Sequence, residues 1–141
     1  MKDEQFIQRF LALHYVFPVP LNKIKLLLEY DPELTQLETM KPSLLASIGK
    51  ISQNRAIKLR EMYLKYVEIP LLQIYEKHSI SPIIYTNPNY PSNLLNLYDP
   101  PAVLYIKGDI NLLLMIRNLQ LSVQERHPNT LKVVLKKFYL R

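Results

Sequence analysis

Proline interrupts this chain wherever a helix would otherwise run on. Eleven prolines stand against two glycines in 141 residues. Each proline fixes its own φ, lacks an N–H and pushes the preceding residue out of the helical region. Such a chain folds as short elements joined at rigid corners. The densest set of corners lies in residues 85–109, YTNPNYPSNLLNLYDPPAVLYIKGD. There a turn at Asn87, Pro88 and Asn89 leads to Tyr90 and Pro91, then a short apolar turn of helix, an Asp99-Pro100-Pro101 corner and an extended run. Turn residues at each change of direction leave no slack, the texture of a lead-in to a larger domain.

The same shortage of glycine excludes chemistry. Gly49 and Gly108 are far apart, so neither form of glycine-rich phosphate loop exists, and nucleotide-dependent enzymes of the common types fall away. Cysteine is absent, which rules out disulfides, thiolate metal sites and a cysteine nucleophile and fits a reducing cytoplasm. His14, His78 and His127 share no metal spacing, the acids are scattered, and Ser122 lacks a nucleophile-elbow context. The expectation is a non-enzyme with no cofactor and no metal. No apolar run approaches the roughly 20 residues of a membrane span. The early acids of MKDEQFIQRF do not resemble a signal peptide.

Helical spacing dominates the first half. Phe6, Phe10, Leu13 and Phe17 form one stripe, ended by Pro18 and Pro20. Leu21, Ile24, Leu27 and Leu28 form a second. Asp31 and Pro32 suit the N-cap and first position of a third helix, and Pro42 opens a fourth that Gly49 closes. Ser52 caps a longer helix with the stripe Ala56, Leu59, Tyr63 and Tyr66, and Pro70 separates it from a last helix over residues 69–78, with Leu71, Ile74 and Tyr75 inward. After His78 the period changes. Strands are predicted over residues 82–86, 102–107 and 119–123, a short helix over 91–98 and another helix over 130–139. The fold class is thus mainly α: a helical bundle over residues 1–78, then a short, incomplete α/β segment over residues 79–141. An extended run such as residues 102–106 favours self-association if left uncovered.

The lead-in resembles that of the DNA-processing protein A family (DprA, also called Smf). Its pattern, D-x-x-Y-P-x-x-L then D-P-P-x-x-L-Y-x-K-G, is met here by Tyr90, Pro91, Leu94, Asp99, Pro100, Pro101, Leu104, Tyr105, Lys107 and Gly108, with Asn87 replacing the first Asp. The resemblance implies a helical N-terminal domain similar to a sterile alpha motif, followed by a Rossmann-like domain. It also implies a role in DNA uptake and natural transformation, binding single-stranded DNA and helping to load the RecA recombinase.

The family's phosphate-binding turn, G-S-R-x-x-T-x-Y-G, falls here on residues 124–132, where Arg126 is retained but Gln124 and Glu125 depart from the pattern. The chain ends soon afterwards, so the expectation is a truncated member. Charge is concentrated in this tail: residues 115–141 carry a net +5 and residues 1–114 a net +1. Arg126, Lys132, Lys136 and Lys137 are the nucleic-acid-binding residues that the resemblance and the charge together indicate. A second function class is a helical protein-interaction module with a vestigial tail. Residues 45–57 have one glycine too few for a helix-hairpin-helix, so Lys50, Arg55, Lys58 and Arg60 read as solvated helix positions.

Overall fold

The computed structural model describes residues 3–107. They form five helices, α1 (Glu4–Val16), α2 (Leu21–Tyr30), α3 (Pro42–Gly49), α4 (Gln53–Tyr66) and α5 (Leu71–Lys77), and two strands, β1 (Ile80–Ile84) and β2 (Val103–Lys107). The protein is mainly helical with one small antiparallel sheet. It divides into two compact units at Leu71 and Leu72.

In the first unit, Asp3 starts α1 by accepting the Phe6 N–H at 2.7 Å. Phe6, Phe10, Leu13 and Phe17 are buried as their spacing requires, and the Phe6 and Phe10 ring centroids lie 5.7 Å apart. Leu11 and Ala12 are buried as well, so α1 is covered on a wider face than one stripe. α4 packs against α1 and α3, and α2 packs on α3. Leu21, Ile24, Leu27, Leu45, Ala56, Leu59 and Tyr63 complete the core. Each buried leucine, isoleucine or phenylalanine among them contributes about 1.5–3 kcal/mol on leaving water. Gln8 on α1 ties this core to the end of α4, its amide donating to the Val67 carbonyl at 3.0 Å and to that of Ile69.

The expected third helix at Asp31 does not form. Asp31 is buried and its carboxylate accepts two backbone N–H groups instead, Thr35 at 3.1 Å and Gln36 at 2.8 Å. This closes a turn in which Leu34 adopts φ 55° and inserts into the core, followed by a 3-10 helix, Leu37–Thr39. An aspartate used to bridge a turn is no longer free to cap a helix. At the end of α3 the left-handed residue is Lys50, φ 55°, and not Gly49, which is the last helical residue. The Ile51 N–H reaches the Ala46 carbonyl at 3.1 Å and seals that end.

In the second unit β1 and β2 pair antiparallel, Ile80 opposite Lys107 and Ile84 opposite Val103, and the Tyr85 N–H extends the pairing to the Ala102 carbonyl at 3.1 Å. Ile83, Leu104, Ile106, Tyr90 and Leu94 form one apolar cluster with Tyr85 and Leu97 against it. β1 begins two residues earlier than predicted, since Ser79 takes φ 60° and turns the chain. Ile74, expected inward, is 39% exposed; α5 instead sets Tyr75 against Tyr105, with centroids 5.2 Å apart. Ala102, Val103, Leu104 and Ile106 are buried, so the extended run is not a bare apolar surface.

Candidate nucleic-acid interface

The lead-in folds as a single braced piece. Asn87 Oδ1 accepts the Asn89 N–H at 2.8 Å, and the Tyr90 N–H donates to the Asn87 carbonyl at 2.9 Å. The bond from Asn89 needs only a side-chain oxygen two residues earlier, so asparagine closes the turn as aspartate would. The Tyr90 ring is buried, and its hydroxyl donates to the Pro101 carbonyl at 2.7 Å. That bond joins the turn to the diproline corner across eleven residues. Pro91 starts the 3-10 helix Ser92–Asn96, which drops Leu94 into the cluster. Pro100 and Pro101 donate no backbone hydrogen bond, and the chain passes directly from them into β2. The pattern residues Tyr90, Pro91, Leu94, Pro100 and Leu104 are thus buried structural braces, while Lys107 is exposed at the end of β2.

The residues expected to hold nucleic acid, Arg126, Lys132, Lys136 and Lys137, lie outside the described residues, as do the predicted strand over 119–123 and helix over 130–139. Among the basic residues of the first unit, Arg60 has a structural task. Its Nε and Nη2 donate to the Glu38 carbonyl at 3.1 and 2.9 Å, holding the 3-10 helix to α4. Lys50, Arg55 and Lys58 are exposed. Arg55 is not a purely solvated position, because its guanidinium lies 5.6 Å from the centroid of the Phe17 ring.

Burial pushes the His14 imidazole down to about 4, so it is neutral at physiological pH. His78 is exposed. Among the described residues no group of three or more His, Asp or Glu side chains is placed to hold a metal ion. No described helix is long and apolar enough to cross a membrane.

The chain has a partial counterpart among known proteins. The chain is 43% identical over 49 residues to the DNA processing protein DprA of Bacillus subtilis (strain 168). The similarity is partial: the match spans 34% of this chain and 16% of that relative. No family model and no solved structure matches the chain.

Proposed function

We propose that this chain is a DNA-processing protein of the DprA kind, binding single-stranded DNA during DNA uptake and natural transformation and assisting a RecA-type recombinase onto it. The identity with the Bacillus subtilis relative is the observation that carries the reading. The lead-in supports it, since the residues of the family pattern cooperate in one hydrogen-bonded and apolar unit. In this reading residues 1–78 are a helical domain similar to a sterile alpha motif. Residues 79–141 are the lead-in and the beginning of a Rossmann-like domain. Arg126 approaches a phosphate, and Lys132, Lys136 and Lys137 extend the positive surface along the strand. The protein acts in the cytoplasm, consistent with its lack of cysteine, and no catalytic step is assigned to it.

Filter binding of a fluorescent single-stranded oligonucleotide tests this reading. A chain carrying Arg126→Ala with Lys132→Glu, Lys136→Glu and Lys137→Glu loses at least about tenfold in affinity, in keeping with the loss of several phosphate contacts. Unchanged affinity overturns the assignment of that surface. With RecA present, the unaltered chain shortens the delay before RecA coats the strand; an unchanged delay removes the loading role.

A further inference from the structure

A groove of about 280 Å³ opens in the first unit between the end of α1 and α4, well separated in sequence from the basic tail. Its lining includes Tyr15, Phe17, Arg55, Lys58, Leu59 and Met62. Arg55, Lys58, Met62 and Lys65 recur at the three- and four-residue intervals that put side chains on one face of a helix. Ten residues of helix separate the first cation from the last, about 15 Å along the axis.

Aromatic rings alternate with these cations. The Arg55 guanidinium lies over Phe17, at 5.6 Å from the ring centroid, and the Lys65 ammonium over Tyr66, at 5.7 Å. Tyr66 in turn packs against Tyr15, with centroids 4.5 Å apart. Tyr15 remains 50% exposed, a large exposure for a ring. The contact with Phe17 holds Arg55 at the groove without neutralising it, and Lys65 lies further along the same helix face. Among the described residues no ion pair neutralises Arg55, Lys58 or Lys65. Glu61 stands at the edge of the stripe and leaves it net positive.

We infer that this groove is a second contact surface for single-stranded nucleic acid. One unpaired base stacks on the exposed face of Tyr15 and packs along Met62, and the adjoining phosphates meet Arg55 and Lys58. Both halves of the chemistry are matched by one ligand: the flat ring by the tyrosine, the regular negative charge by the cations. Arg55 suits this role in two ways, since a guanidinium both stacks and pairs with two phosphate oxygens. An acidic polypeptide satisfies the cations and leaves the tyrosine face unused. A duplex keeps its bases stacked and offers no free ring to Tyr15. The inference goes beyond the proposed function, because it requires neither Arg126 nor any lysine of the tail.

Photocrosslinking of the whole chain to an oligonucleotide containing 5-iodouracil, with mass-spectrometric mapping, tests it. The same experiment is run on the chain whose tail cations are removed, so that failure of the tail and failure of the groove are told apart. The expected product joins the oligonucleotide to Tyr15, Tyr66 or Met62 in both chains. Arg55→Glu with Lys58→Glu lowers anisotropy-measured affinity about tenfold and lessens the slope of log affinity against log salt by about 1.4, two single-strand phosphate contacts. Tyr15→Phe keeps the crosslink and Tyr15→Ala abolishes it; these positions are exposed, so folding is retained and is checked by circular dichroism. Crosslinks confined to the tail, or an affinity and salt slope unaltered by the double charge reversal, overturn the inference. So does competition by polyglutamate that unlabelled single-stranded DNA fails to match.

Discussion

At the scale of single residues, a buried tyrosine and a half-buried histidine make opposite demands on the first unit. Tyr63 is fully buried and its hydroxyl has no hydrogen-bond partner among the described residues. Burial first, then the nearby Glu38 carboxylate, raises its pKa, so the group stays protonated and neutral. A buried hydroxyl that gives up water without gaining a partner costs about 1–3 kcal/mol. Tyr63→Phe therefore stabilises the protein by about 1 kcal/mol, read as a higher urea midpoint with an unchanged slope. A lower midpoint would mean that the hydroxyl is satisfied after all. His14 works through pH. Its folded pKa, lowered by burial from 6.5 to about 4, lies below that of the unfolded chain. Between those values the unfolded chain binds the extra proton, so stability is complete above pH 6.5 and falls as pH drops through the window. The loss is roughly 1.5 kcal/mol between pH 6.5 and 5, and it disappears in His14→Gln. Urea unfolding at those two pH values checks this, and an equal loss in the variant contradicts it.

At the scale of elements, the ends decide the fold. The left-handed Lys50 costs about 1 kcal/mol relative to glycine, which adopts that conformation freely. Lys50→Gly thus raises the thermal midpoint by a few degrees; a decrease would mean that its side chain contributes more than the strain it causes. Helix positions were legible in the sequence because proline and serine mark their starts and apolar stripes mark their buried faces. Asp3 and Ser52 each accept a backbone N–H three residues on, as their residue type predicts. Residues 31–36 were not legible. The same Asp-Pro pair serves a helix start or a closed turn, and only the demand of the core for Leu34 separates them. The lead-in was legible as a series of corners, yet the bond from Tyr90 to Pro101 depends on a meeting that no local pattern encodes. Tyr90→Phe leaves the Pro101 carbonyl without that donor and costs about 1 kcal/mol, measurable by denaturant unfolding; an unchanged midpoint would show that the brace is dispensable.

At the scale of the whole molecule, charge is unevenly placed along the chain. The excess of positive charge belongs to residues 115–141, while the braced corners belong to residues 85–107 and a separate apolar core to the helical unit. The groove beside α4 was missed in the sequence because its cations and rings come from segments forty residues apart. Arg55 and Lys58 alone look like any solvated helix face, and the Tyr15 and Phe17 beside them become visible only once α1 packs on α4. The central proposal, that this chain grips single-stranded DNA chiefly through its phosphates, is tested most directly by titrating the intact chain against a single-stranded oligonucleotide at about 50 and 200 mM salt. With four tail cations engaged, affinity falls tens of fold between the two conditions, and a duplex of the same length binds more weakly. Affinity that is insensitive to salt, or no binding at the lower salt, contradicts the account.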